Sequence, residues 1–193
     1  MEIILISSIL GLSALILLFI PRKASAHCDT MDGPTVKDGI KSLETGNVSY
    51  AAKWVMPDHD DELKEIFDLS IKVRGLNEDA KKVADRYFLE NLVRIHRAGE
   101  GIAFTGIKPY GTPMDVKVAA ADKAIEIGDL SPLEGLFTDE EMHDLEQKFE
   151  KAMALSDYDA DDLKAAREWV EAYVIFFKTA EGHHHDHGHG HGH

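Results

Sequence analysis

Seven histidines crowd the last eleven residues of this chain, in the run HHHDHGHGHGH. They are His183, His184, His185, His187, His189, His191 and His193, and only His27, His59, His96 and His143 occur elsewhere. Neutral imidazole is the commonest protein ligand for zinc, copper and nickel. A tract of His, Gly and one Asp has no apolar surface to offset the entropy of ordering it. Such a tract cannot build a core, but it can chelate as a flexible tail. Purification tags are usually uninterrupted histidine runs, whereas Asp186 and the alternating glycines here point to an encoded metal-binding tail.

The opposite end carries a second signal. Ile3 to Ile20 is a stretch without a charge, followed by Pro21-Arg22-Lys23 and then Ala24-Ser25-Ala26. The last three residues fit the small-x-small site at which export signals are cut. Residues 1–26 are therefore expected to be a cleaved signal, placing the mature protein in a periplasm or outside the cell. The alternative is an uncleaved membrane anchor at residues 3–20, because Glu2 precedes the apolar run and its nearest positive charges follow it.

Cleavage after Ala26 exposes His27-Cys28-Asp29. Cys28 is the only cysteine, so no intrachain disulfide can form. A free α-amine, an imidazole and a thiolate within two residues make a compact soft donor set for nickel, zinc or copper. The competing reading is an unstructured terminus with an incidental cysteine.

This opening resembles the N-terminal hook of nickel superoxide dismutase, which begins His-Cys-Asp-x-x-Cys. The resemblance implies nickel held by the amine, His27, the Cys28 amide and the Cys28 thiolate. The second thiolate position is Asp32 here, and dismutase chemistry depends on both. More of the chain resembles an uncharacterised family of exported bacterial helical proteins. Its members open His-Cys-Asp-x-x-Asp-Gly-Pro, here His27 to Pro34, and carry Val-Arg-Ile-His-Arg-Ala-Gly-Glu-Gly, here Val93 to Gly101. That resemblance brings no particular activity with it.

The 167 residues after residue 26 suit one domain with a sizeable core. Without Glu2, Arg22 and Lys23, 34 acids face 19 bases, a net charge of −15 with His neutral. Such a surface disfavours nucleic acid and anionic membranes, and leaves metal cations as the expected partners. Once the signal is removed, nothing else is expected to hold a membrane.

The elements that must position these groups read as an all-α fold. Shifting the sequence by 82 residues places Gly46 on Gly128, Leu63 on Leu145 and Phe67 on Phe149, then Tyr87-Phe88 on Trp169-Val170 and Leu92-Val93 on Val174-Ile175. Matches at one offset imply a duplicated three-helix unit, about 36–98 and 118–180, forming one helical bundle domain over 27–182. Helices are expected at 35–46, 59–74, 78–98, 115–127, 138–155 and 160–180. One basis is 3.6-residue stripes such as Ala80, Val83, Ala84, Tyr87, Phe88, Leu92 and Ile95. The other is punctuation: C-terminal Gly46 and Gly128, N-caps at Asn77 and Asp159, and a Thr138/Glu141 capping box. Gly99 to Pro113 reads as a connector. Residues 183–193 form the tail.

The copies differ where chemistry could sit. His96 aligns with Lys178, and the first copy alone has Glu90, Arg94, His96, Arg97 and Glu100. Helical spacing pairs Glu90 with Arg94 and His96 with Glu100. One reading is a solvated salt-bridge face with a histidine at the core edge. The other is a polar helix end that meets His27-Cys28 or binds an anion through Arg94 and Arg97. His59 reads as part of a helix start, His143 as exposed, and the aromatic and Met positions as core. No hydrolase triad, paired-Cys zinc motif or His-Glu-x-x-His helix is present. The leading expectation is an exported protein that buffers or delivers a divalent transition metal through its tail and through His27 and Cys28. The alternatives are a redox metal centre at His27 and Cys28, completed by Asp32 or His96, and a non-catalytic interaction module.

Overall fold

Caps and glycines set where the helices fall. In a computed structural model that describes residues 26–182, the helices are α1 Pro34–Thr45, α2 Ser49–Ala52, α3 Asp60–Arg74, α4 Glu78–Gly99, α5 Val116–Ile127, α6 Asp139–Ala154 and α7 Leu163–Ala180. Single 3-10 turns occupy Ala26–Asp29, Pro57–His59 and Ser131–Leu133. Among the described residues the only β pairing is an isolated parallel bridge between Thr30 and Lys108. The fold is all-α, with the six long helices close to their expected ranges. Residues 1–25 of the expected signal, the His27 side chain and the tail 183–193 lie outside the described part.

Gly46 and Gly128 end α1 and α5 at φ 71° and 70°, the left-handed region that glycine enters at no steric cost. The Asn77 side chain accepts from the Asp79 and Ala80 amides, and Thr138 and Glu141 cap each other reciprocally. Asp159 does not cap α7. Its carboxylate accepts from the Asp161 amide within the preceding loop, and Asp162 caps the helix through the Ala165 amide instead, so α7 starts later than expected.

Packing follows from the apolar faces. Val36, Leu43, Leu63, Phe67, Phe88 and Leu92 form one buried cluster from α1, α3 and α4. At Gly39 the helices come so close that a Cβ would lie 2.7 Å from the Leu89 and Leu92 methyls. Ala121, Ala124, Leu145, Phe149 and Phe176 form a second cluster from α5, α6 and α7. A third joins Trp54 to Val118, Tyr173 and Phe177.

The 82-residue offset is matched in burial by Leu63 with Leu145 and by Phe67 with Phe149. It then slips. Buried Ala172, Tyr173, Phe176 and Phe177 answer Phe88, Leu89, Leu92 and Val93 at an offset of 84. Trp169-Val170 therefore do not take the places of Tyr87-Phe88. The physical cause is the loop before α7, residues 155–162, which is longer than residues 75–77 before α4, so one offset cannot hold on both sides of it. The stripe on α4 is also rotated from its expected line, with Val83 68% and Tyr87 44% exposed while Leu89 and Val93 are buried. Met56 and Tyr110 are likewise exposed rather than core.

Candidate functional site

Helix α4 buries Leu92 and Val93, and His96 and Arg97, four residues further on, fall on the same inward face whatever their polarity. Arg97 is 2% exposed. A buried guanidinium must be paired, because an isolated charge in the interior is costly. Its Nε donates to Asp29 Oδ1 at 2.5 Å and its Nη1 to Glu100 Oε2 at 2.6 Å. Asp29 is held in turn by the connector: the Lys108 amide donates to the Asp29 carbonyl at 2.7 Å, and the Met31 amide to the Lys108 carbonyl at 3.0 Å. The polar helix end does meet the N-terminal segment. The anion-binding reading of Arg94 and Arg97 is corrected: Arg94 donates to Glu62 at 2.6 Å and Arg97 is buried in its own pairs. Nor do Glu90 and Arg94 pair, since Glu90 accepts from Arg86 at 2.8 Å.

His96 is 8% exposed, and its Nδ1 lies 2.7 Å from the Trp54 carbonyl oxygen. A carbonyl can only accept, so the proton is assigned to Nδ1, and in the neutral ring Nε2 is a lone pair. That Nε2 is buried without a hydrogen-bond partner. Glu100 Oε2, the expected i+4 partner, stands 3.8 Å away, beyond hydrogen-bond range. An acceptor left unsatisfied in the interior costs about 1–3 kcal/mol. The Trp54 ring meets the imidazole edge-on, with centroids 6.2 Å apart.

His96 and Glu100 line a groove of about 570 Å³ between the residue 53–57 segment and α7. Its walls are mainly apolar, from Trp54, Met56, Val170, Val174 and Ile175. The basic residues at its edge are already engaged. Lys53 Nζ is 2.9 Å from Asp38, donates to Tyr158 at 2.7 Å and lies 4.7 Å above the Trp169 ring. Arg167 donates to Asp60 at 2.5 Å and to the Ala52 carbonyl at 3.2 Å.

Cys28 is partly buried and lines a cavity of about 10 Å³, room for one water, with Arg97, Glu100 and Tyr173. Burial pushes its thiol from 9.0 up to about 12, against the lowering pull of Arg97. At neutral pH this group is a thiol, and a thiol is a poor nucleophile and a poor ligand. Asp32 is half-buried and accepts from the Gly111 amide at 3.3 Å.

Among the described residues, no three His, Cys, Asp or Glu side chains gather as a metal site. Cys28, Asp32 and His96 are therefore not drawn into one three-ligand centre. His59 ends the turn before α3, with Nδ1 3.4 Å from Glu62, and His143 is exposed; both are as expected. Sequence reasoning missed Trp54 as the anchor of His96 and Asp29 as the anchor of Arg97. Neither partner carries a local signal. Only the mismatch of His96 with Lys178 at the 82-residue offset pointed toward this end of α4.

The family model described as a family of unknown function (DUF6448) matches residues 32–179. The chain belongs to that family. No curated protein and no solved structure matches it.

Proposed function

We propose that this family member is an exported protein that buffers or delivers a divalent transition metal, nickel, zinc or copper. The observation that carries the reading is the tail, His183 to His193, with its seven imidazoles. His27 and Cys28 add a second donor set once cleavage after Ala26 frees the amine. Export is supported by the Ala24-Ser25-Ala26 site, with the anchor at residues 3–20 as the alternative; among the described residues no helix is long and apolar enough to cross a membrane. The excess of acids favours cations over nucleic acid as partners. Calorimetric titration of the mature chain with zinc or nickel tests this: several ions per chain are expected, and most are lost on truncation after Gly182. Unchanged stoichiometry on truncation overturns the tail's role.

A redox centre at His27 and Cys28 is the second reading, favoured by the way the N-terminal segment is tied to α4 through Asp29 and Arg97. Burial of the Cys28 thiol weighs against it, because a metal must displace that proton before the sulfur can bind. A thiolate-to-metal absorption band on adding Ni(II) or Co(II), lost in Cys28→Ser and in chains with residue 26 retained, together with superoxide or peroxide turnover by the metal-loaded chain, would support it. Absence of the band removes it.

A further inference from the structure

We infer that the last turn of α4 carries a metal-docking site in the folded body, in which His96 Nε2 and Glu100 together take a divalent transition-metal ion. The inference rests on the metal-binding reading above, but it uses residues that neither the tail nor the N-terminal donors include.

The first support is the unused lone pair. His96 is more than nine-tenths buried and fixed by its Nδ1–H to the Trp54 carbonyl, yet Nε2 has no partner. An Nδ1–H donated to a carbonyl is how metal-binding imidazoles are oriented and made more basic. The second support is the distance to Glu100. At 3.8 Å the gap is too long for a hydrogen bond. Two ligands on one tetrahedral ion, each about 2.1 Å from it, stand about 3.4 Å apart. A slight turn of the Glu100 side chain, 31% exposed at the helix end, closes the difference. The third is the shell behind Glu100: its Oε2 accepts from Arg97, and Arg97 is anchored on Asp29. Both ligands thus have outer partners that hold them in place.

Charge agrees. Lys53, Arg97, Arg167 and Lys178 are the cations around the two cavities, and each has its own carboxylate in Asp38, Asp29, Asp60 and Glu181. Glu100 shares Arg97 with Asp29, and with Glu171 it leaves these groups with more acids than bases, which suits a dication. Two protein ligands leave the other coordination positions to water, so the ion is exchangeable, as delivery requires.

The test is a zinc titration of the full mature chain, uniformly ¹⁵N-labelled, followed through histidine side-chain nitrogen resonances. The His96 signal is identified by its loss in His96→Gln. It is expected to shift on zinc addition, and Glu100→Gln should weaken that titration at least about tenfold while the tail signals titrate as before. Should Glu100→Gln disturb the turn by circular dichroism, Glu100→Asp is the second variant, with a smaller loss expected. A His96 signal that stays fixed while the tail imidazoles saturate, or one that titrates normally in both Glu100 variants, overturns this inference alone. If the tail signals stay fixed as well, the proposed function fails with it.

Discussion

Replacing Arg97 by Met removes the positive member of the most deeply buried ion pair described. The Met side chain fills much of the same volume, so the perturbation is chiefly electrostatic. Asp29, 7% exposed, then loses the guanidinium 2.5 Å from its Oδ1, and Glu100 loses its donor at 2.6 Å. Breaking a buried pair by removing one partner costs about 3–5 kcal/mol, because the remaining charge is uncompensated. For a chain of this size each kcal/mol lowers Tm by about 2–4 °C, so Arg97→Met should lower it by about 6–20 °C. The assay is thermal unfolding of the mature chain followed by circular dichroism. Adding Asp29→Asn to Arg97→Met should recover part of the loss, since no buried carboxylate is then stranded. A single-variant change under about 2 °C, measured as above, would refute the docking of the N-terminal segment on α4.

Three further outcomes follow from the same structure. Binding of metal by the tail should weaken below about pH 6 as its imidazoles protonate, and truncation after Gly182 should leave Tm unchanged; calorimetry at two pH values and a melting curve check both. Phe67→Ala and Phe149→Ala should each cost about 3–5 kcal/mol by denaturant unfolding, because both rings are buried, 5.3 Å from Phe88 and 5.7 Å from Phe176. The Cys28 thiol titrates at about 12 folded and 9.0 without burial, so the unfolded chain binds fewer protons above pH 9 and folding loses stability there. Chemical denaturation from pH 8 to 11 should show a steeper decline for wild type than for Cys28→Ser, and equal slopes would contradict the burial.

Most of the helical architecture was legible because its signals are local. Gly46, Asn77, Thr138 and Glu141 act within a turn of the helix ends they define, and each does so in the structure. The register of α7 was not legible, since a longer loop shifts the offset of a helix without changing its stripe. The site was legible only in part. His96 stood out against Lys178, but its partner Trp54 is 42 residues away and contributes a backbone carbonyl, which no side-chain pattern reports. Arg97 and Asp29 are 68 residues apart, and their pairing depends on the connector that brings Lys108 alongside Asp29. The Glu90–Arg94 expectation failed because helical spacing permits a pair without choosing between competitors, and Arg86 and Glu62 were better placed.

Export and transition-metal carriage are read out together by native mass spectrometry of protein secreted by its host and purified without an affinity metal. The expected result is a chain beginning at His27 and carrying nickel, zinc or copper, with most of the metal lost after truncation at Gly182. A chain that retains residues 1–26 would contradict the cleaved signal. A correctly processed chain that is metal-free, and stays so after incubation with each of the three ions at neutral pH, would contradict the metal function itself.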